Sequence, residues 1–389
     1  MIYADWAATA PLHPAAVKEL RHWLEYPVPA NPSSVHGFGM AAADRLDAAR
    51  KKLAAAAGWD GGITFVSGGT EGLALAVHSL AVRALNAGRR RVILSPLEHP
   101  ALREAVLADP AGLQAEECAV TPEGQVDPAD FAARMGEDTA FAAVMTVQNE
   151  TGVIQPVGEC AALAHRCGAY FLTDAVQAAG HITGGILPGD CTAPAERIPD
   201  MAVISGHKFG GPAGTGALFH RISPVPLQKG GGQEGGFRGG TENLPGICAM
   251  AAALAASAEP AWMAALRDRL ERQFVCRMEK AGVPVRIAGD SGRRTGSVSC
   301  MVFPDPGGPV GENLVLSADL AGLAVSAGSA CHSASPEPSR VLLAMGYTTS
   351  EAVRAVRLSF GFGTEKAEME EAYRILGDTV LRLSGKRAE

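Results

Sequence analysis

The sequence has no cluster of positive charge and no long hydrophobic segment. Its 389 residues carry 34 Lys and Arg against 41 Asp and Glu, a formal net charge of -7, and the cations are scattered. Binding to nucleic acid needs clustered cations along the phosphate backbone, so nucleic acid is not expected as a partner. The longest apolar segment, residues 249–258, is rich in alanine and too short to cross a bilayer, so no membrane association is expected.

Cysteine is sparse, and the first residues do not resemble a targeting segment. Eight cysteines are too few for a disulfide framework, and none forms the CxxC pair of a typical metal site, so no metal is expected. The opening residues MIYADWAATAPLHP lack the basic and then apolar pattern of a signal peptide. With 47% hydrophobic and 19% charged residues the composition is that of a globular protein. These features predict a cytoplasmic location.

Short apolar segments alternate with helical ones over the first part of the chain. Continuous apolar strands between helices are typical of a mostly parallel sheet that helices cover on both faces. Functional residues are then expected in loops at the carboxyl ends of the strands. Strands are predicted at residues 63–67, 91–95, 141–147, 169–174, 201–205 and 216–220, and helices end at Gly58, begin near Thr70 and Pro100, and span residues 157–167.

The pattern changes beyond a glycine-rich segment at residues 230–243. A long helical region is predicted over residues 244–281, then further strands, a helix near Asn313, and an amphipathic helix over residues 365–383. Two domains are the natural expectation for this length. The predicted division places residues 16–250 in a large domain. Residues 251–389, together with residues 1–15, form a smaller C-terminal α/β domain.

Two charged residues follow predicted buried strands. Lys208 lies in SGHK after the strand at 201–205, and a desolvated lysine is a nucleophile toward aldehydes. A solvated loop lysine is the alternative. Asp174 ends the strand at 169–174, where it could pair with the protonated ring nitrogen of an electron-sink cofactor or could cap a helix. Gln177 would lie on the same side if a helical turn begins at Asp174.

Three further segments carry candidate binding groups. SGGTEG, residues 67–72, combines glycines with a helix start, which suits either an anion or a tight turn with a Thr cap. Cys331 lies in AGSACHSASPEPS, a run of small polar residues that predicts an exposed thiol, either reactive or incidental. Arg357 opens a late strand and suits bidentate binding of a carboxylate, or a salt bridge at a domain surface.

Ten segments spread over nearly the whole chain identify a family. Together they resemble the NifS/IscS-type cysteine desulfurases of the class V aminotransferase-fold family. The resemblance implies the PLP-dependent transferase (aspartate aminotransferase-like) α/β fold, with pyridoxal 5'-phosphate as cofactor and L-cysteine as substrate. The segments are YADWAATAP, NPSSVHGFG, ITFVSGGTEG, PLEHPA, VQNETGVIQPV, TDAVQAAG, ISGHKFGGPAGTGAL, GGGQEGGFRGGTEN, VSAGSACHSASPEPSRVL and VRLSFG.

The same resemblance implies roles for individual residues. Lys208 would bind the cofactor aldehyde, Asp174 would pair with the ring nitrogen, and His99 would stack on the ring. Gln177 would donate a hydrogen bond to the ring hydroxyl, with Asn149 close to it and to the substrate. The other implied contacts are Gly69, Thr70, Ser205 and His207 to the phosphate, Thr241 to the phosphate of the second subunit of a homodimer, Arg357 to the substrate carboxylate, and Cys331 to the substrate sulfur.

The implied reaction removes sulfur from L-cysteine and leaves L-alanine and a persulfide on Cys331. The persulfide would pass to a sulfur-acceptor protein, such as an iron–sulfur scaffold or a sulfur carrier. A selenocysteine lyase shares the fold and is the nearest alternative. An aminotransferase of the same fold would not need Cys331, and a non-catalytic assembly subunit would not need Lys208 and Asp174.

Some positions depart from the family pattern or receive no role. Trp6 and Ala74 stand where asparagine is usual, and Gly235 stands where arginine usually follows QE. Ala74 and Gly235 are expected to alter packing in the cleft or at the dimer seam. Asn31 and His36 belong to a block that lines the cleft in the family, and no role is predicted for either.

Overall fold

Strands and helices alternate in the computed structural model, which describes residues 1–25, 31–182, 185–187, 194–289, 293–304, 309, 311–328 and 338–386. The strands are β1 Ile2–Tyr3, β2 Gly62–Val66, β3 Arg91–Leu94, β4 Gln114–Glu117, β5 Thr139–Ala143, β6 Tyr170–Asp174, β7 Met201–Ser205, β8 Gly216–His220, β9 Arg286–Ile287, β10 Val298–Val302, β11 Leu323–Ala324, β12 Ser326–Ala327 and β13 Ala355–Ser359. The helices are α1 Pro14–Glu25, α2 Gly37–Ala57, α3 Gly69–Asn86, α4 Pro100–Ala108, α5 Pro128–Arg134, α6 Val157–Arg166, α7 Leu244–Ala256, α8 Met263–Lys280, α9 Gly311–Leu320, α10 Arg340–Ala344, α11 Thr349–Ala352 and α12 Lys366–Leu383.

The large sheet has the strand order β2-β8-β7-β6-β5-β3-β4. Strands β3 to β7 pair in parallel, whereas β8 runs antiparallel to both β7 and β2. Side chains alternate between the two faces: Val92 and Leu94 pack with residues of α3 and α4, and Ile93 packs with residues of α6. The predicted α/β fold with a mostly parallel sheet covered on both faces is confirmed.

A smaller antiparallel sheet, in the order β12-β13-β10-β9, lies in the C-terminal third. Apolar residues of α8, α9 and α12 share one hydrophobic cluster with β10 and β13. Strand β1 pairs in parallel with β11, through Ile2 and Leu323, so the first residues lie against this third of the chain. The domain division near residue 250 stays a prediction. None of the described helices is long and apolar enough to cross a membrane.

Two predicted elements are wrong in extent. The long helix over residues 244–281 is two helices, α7 and α8, separated by residues 257–262. Pro260 lies in this break, and proline has no N–H to donate and disfavours helical backbone at the residue before it. The strand predicted at 141–147 is regular only over Thr139–Ala143, although the Thr146 N–H still donates to the carbonyl of Asp174, the last residue of neighbouring β6, at 2.8 Å.

The departures at Trp6 and Gly235 have local structural reasons. The Trp6 ring packs edge-on against Phe362, with ring centroids 5.0 Å apart, and a side chain at Gly361 would collide with it. Gly235 has a φ of 66°, a left-handed backbone that glycine adopts without strain. An arginine at position 235 would therefore be strained. Ala74 is half-buried in α3, and nothing in the structure explains that departure.

Candidate active site

A cavity of about 300 Å³ lies at the carboxyl ends of β6 and β7. It is lined by ten residues to which the sequence assigns a role, and by six others, among them Ala7, Ala8 and Met145. Thr241 does not line the cavity, and Cys331 lies outside the described residues. The ten residues are Gly69, Thr70, His99, Asn149, Asp174, Gln177, Ser205, His207, Lys208 and Arg357.

Asp174 ends β6 and is only 3% exposed. Its Oδ1 accepts a hydrogen bond from the Val176 N–H at 2.9 Å. Burial raises the pKa of the Asp174 carboxyl, and this is opposed by that hydrogen bond and by the nearby side chains of His99 and Lys208. A buried carboxylate of this kind is stabilised by a cationic partner. The position therefore suits a protonated ring nitrogen.

The amino group of Lys208 points to the start of the chain. Lys208 lies in a short turn directly after β7, and its Nζ donates to the carbonyl oxygens of Ala7 and Ala8, both at 2.8 Å. The Gln177 side-chain amide donates to the same Ala7 carbonyl at 2.8 Å. A turn of chain after Asp174 brings Gln177 to this side, as predicted, with the Ala178 N–H bonded to the Ala175 carbonyl.

Both histidines of the cavity are held in the neutral form. Burial lowers the pKa of His99, and nearby Lys208 lowers it further, against an opposing effect of Asp174. The Nδ1 of His99 accepts from the Ala101 N–H at 3.1 Å, which caps α4 and leaves the proton on Nε2. Burial lowers the pKa of His207 to about 4. A neutral imidazole at His99 is suited to stack on an aromatic ring.

The amino-terminal end of α3 forms one wall of the cavity. Gly68 precedes the helix without a side-chain cap, so no capping side chain occupies the first N–H groups, and Gly69 and Thr70 of this first turn line the cavity together with Ser205. A side chain at Gly69 would approach a Val176 methyl group to 3.1 Å, so glycine keeps this wall open. Helix N-termini with exposed N–H groups bind anions such as phosphate.

Arg357 lies on β13 and is 1% exposed, so it is not part of a surface salt bridge. Its Nη1 donates to the Asn149 carbonyl at 2.9 Å, and its Nη2 pairs with Asp5 at 2.8 Å. Its Nε is buried without a hydrogen-bond partner. The guanidinium is thus held in place at the cavity by two of its five N–H groups.

Sequence reasoning missed three acidic residues close to these groups. Asp5 pairs with Arg357, and the Oε1 of Glu98 accepts from the Met145 N–H at 2.7 Å. Glu150 accepts from the Ser339 hydroxyl at 2.5 Å. Burial raises the pKa of Glu98 well above its usual range, and Asp174 adds to this. The sequence offered a signal for two of these acidic residues: Glu98 directly precedes a predicted site residue, and Glu150 directly follows one.

Three residues named from the sequence lie away from the cavity. Thr241 is exposed, in a segment that is joined to α3 by an ion pair between Arg238 and Glu71 at 2.8 Å. His36 caps α2, with its Nδ1 accepting from the Gly39 N–H at 3.2 Å. The Asn31 side chain accepts from the Ser33 N–H at 2.9 Å. None of them lines the cavity.

Comparisons with known proteins find similar proteins over nearly the whole chain. The Aminotransferase class-V family profile matches residues 2–371. A cysteine desulfurase of Cereibacter sphaeroides is 37% identical over 390 residues, covering 98% of this chain and 96% of the relative. A solved NifS-like protein has a TM-score of 0.84 at 26% identity, covering 98% of this chain and 100% of the other. SspA in complex with cysteine has a TM-score of 0.77 at 25% identity, covering 92% and 99%.

Proposed function

The chain belongs to the class-V aminotransferase family and is a pyridoxal-phosphate-dependent cysteine desulfurase, and we propose that Cys331 receives the sulfur of L-cysteine as a persulfide. We further propose that the protein acts in the cytoplasm as a homodimer and hands the sulfur to an acceptor protein, an iron–sulfur scaffold or a sulfur carrier. The observation that carries this proposal is the convergence of ten family-matched residues, from segments distant in the chain, on one cavity.

The cavity residues fit pyridoxal 5'-phosphate. Buried Asp174 suits a cationic ring nitrogen, and neutral His99 suits a position over the ring face. The start of α3, with Gly69 and Thr70, suits the phosphate together with Ser205 and His207. Lys208 is the amine in the cavity that would bind the aldehyde, and Gln177 would donate to the ring hydroxyl. When bound, the cofactor supplies an electrophilic aldehyde and an electron-withdrawing ring.

The roles of the protein groups follow from their positions. Arg357 and Asn149 would hold the substrate, with the guanidinium binding its carboxylate and orienting the α-carbon toward Lys208. The Lys208 amine then takes the α-proton as general base and returns a proton to the product. The Cys331 thiolate attacks the substrate sulfur, the C–S bond breaks with its electron pair on the carbon side, and a proton added there completes L-alanine. One cysteine and one thiol thus give one alanine and one persulfide.

We expect the protein to form L-alanine from L-cysteine, with sulfide released in equal amount when a reducing thiol is present. Assays with L-cysteine and with selenocysteine separate a cysteine desulfurase from a selenocysteine lyase. Both substrates would yield alanine in the same cavity, so alanine formation from the two is compared directly. Alanine is measured by chromatography and the chalcogenide by trapping. Alanine formed from selenocysteine alone would identify a lyase of that substrate and contradict the proposal, as would transamination to a keto acid.

A homodimer would explain the place of Thr241 and an exposed apolar region. Thr241 is exposed and outside the cavity of its own subunit. Four large apolar side chains are exposed within a short stretch of chain, at Leu24, Val35, Phe38 and Met40, with exposed fractions of 59–94%. Exposed apolar side chains that form a contiguous patch mark interaction sites, and these four are close together in the sequence. In a two-fold dimer, Thr241 of each subunit would complete the other subunit's phosphate site.

Mixing two inactive variants tests this arrangement. Thr241→Ala and Lys208→Ala homodimers are each expected to have little activity. If Thr241 acts across the interface, each mixed dimer contains one intact site, and random exchange of subunits restores about a quarter of the wild-type activity. Sedimentation verifies that the subunits have exchanged. An active monomer, or no recovery in verified mixed dimers, would contradict the homodimer site.

A further inference from the structure

Glu150 is a titratable group beside the cavity that the proposed reaction does not use. It follows Asn149 in the loop after β5, and its backbone N–H donates to the side chain of Gln148 at 2.6 Å. Part of the residue remains accessible, but its carboxyl group is surrounded by protein. Acidic groups in such surroundings are retained for a partner or a task, because their charge is costly to desolvate.

One oxygen of Glu150 is bound to the start of α10. The Ser339 hydroxyl and Glu150 Oε2 are 2.5 Å apart, and Ser339 is 1% exposed. The same hydroxyl accepts from the Leu342 N–H at 3.1 Å and so caps α10. Ser339 stands eight residues after Cys331 in the sequence. Glu150 therefore contacts the first described helix beyond the proposed sulfur acceptor.

The other neighbour of Glu150 is the proposed ligand of the substrate carboxylate. Arg357 donates to the carbonyl of Asn149, the adjacent residue, and its positive charge favours the ionised form of Glu150. Within the described part of the chain, Cys300 on β10, which lies opposite Arg357 in the sheet register, is the other titratable group that interacts with Glu150. Asp5 forms an ion pair with the same Arg357 side chain, with Asp5 Oδ1 and Arg357 Nη2 2.8 Å apart. Among the described residues, Arg357 is thus the main charge near Glu150.

We infer that Glu150 is a positioning residue that connects Arg357 to Ser339 and takes up a proton when the carboxylate of an amino acid binds Arg357. The inference rests on the proposed function only for the assignment of Arg357 as the carboxylate ligand. Proton uptake offsets the negative charge that the substrate brings, and it leaves the cap of α10 intact. Glu150 thereby controls how the affinity for the substrate carboxylate depends on pH.

The hydrogen-bond chemistry permits this exchange without loss of the contact. When Glu150 is ionised, the Ser339 O–H donates to it, and when Glu150 is protonated, its own O–H donates to Ser339 Oγ. The Leu342 N–H donates to the same oxygen in both forms. Burial raises the pKa of Glu150 to about 7, so both forms are populated near neutral pH. A carboxylate on Arg357 cancels the charge that stabilises ionised Glu150, which favours proton uptake.

The affinity for L-alanine, the product, should therefore weaken as the pH rises through neutrality. Above the pKa of Glu150, binding requires uptake of a proton from solution, and this contribution is absent in Glu150→Gln. We expect the dissociation constant of the wild type to rise by about tenfold more than that of Glu150→Gln between about pH 6 and about pH 8. L-Alanine has no thiol to titrate, and all other titrating groups are common to both proteins.

Proton uptake is measured directly with an indicator dye in weak buffer near neutral pH, on adding L-alanine to the cofactor-loaded protein. The wild type should take up more protons than Glu150→Gln. Ser339→Ala keeps the carboxyl group and should keep the uptake while losing the cap. Thr348→Ala is its matched control, because Thr348 caps α11 without reaching Glu150.

If Glu150→Gln does not fold, an infrared difference spectrum of the wild type should show a protonated carboxyl band on binding L-alanine.

Equal proton uptake in wild type and Glu150→Gln, or parallel pH dependences of their affinities, would overturn the inference. So would an infrared spectrum without that band. These outcomes are separate from failure of the proposed function. A wild type that forms a persulfide on Cys331 but shows no Glu150-dependent uptake contradicts this inference alone. Glu150-dependent uptake in a protein that forms no persulfide supports the inference and contradicts the desulfurase mechanism.

Discussion

Lys208→Ala should abolish covalent attachment of the cofactor and lower the rate of alanine formation by at least about three orders of magnitude. General acid–base groups contribute about 100-fold to 10,000-fold, and Lys208 would supply both that step and the amine that holds the aldehyde. The Lys208 amino group lies in the cavity, bonded to the carbonyls of Ala7 and Ala8. Those two contacts are also lost in the variant, so its folding is checked by circular dichroism.

Borohydride reduction locates the attachment site independently of activity. The wild type should yield one cofactor-labelled peptide, and it should contain Lys208. Lys51→Ala is a suitable control, because Lys51 is exposed on α2 and outside the cavity, and its label should stay on the Lys208 peptide. Label on another lysine of the wild type would refute the assignment of Lys208.

The positions of the central groups could be predicted because they depend on local pattern. Asp174 ends one short apolar strand and Lys208 closely follows another, and strands of one parallel sheet end at the same edge. The apolar periodicity also located the helix end at Gly58 and the helix start near Thr70 closely enough to order the segments. The sequence does not show that β8 runs antiparallel to β7, because an apolar segment such as GALFH can be buried in a sheet in either direction.

Contacts between distant segments account for what the sequence did not predict. Asp5 and Arg357 are 352 residues apart, and Lys208 meets a carbonyl group 201 residues away. No local pattern shows such a pairing. The burial of the Glu98 and Glu150 carboxyl groups likewise arises only when loops of different strands pack together. The role of Cys331 follows from family resemblance, since Cys331 lies outside the described residues.

Cys331→Ser should separate cofactor chemistry from sulfur transfer. The variant keeps Lys208, Asp174 and Arg357, so L-cysteine should still bind and change the absorption spectrum of the cofactor. Formation of alanine and sulfide should fall by at least about 100-fold, because a serine hydroxyl cannot accept sulfur as a persulfide. Cys276→Ser is the matched control, since Cys276 is an exposed thiol on α8 and should be dispensable.

The most direct measurement is the mass of the peptide that contains Cys331 after a brief exposure of the wild type to L-cysteine. The proposed mechanism places one added sulfur atom on Cys331, in both the wild type and Cys276→Ser, and reducing agent should remove it. Peptides that carry the other cysteines should keep their mass. An unmodified Cys331 during turnover, together with sulfide release by Cys331→Ser near the wild-type rate, would contradict the persulfide mechanism.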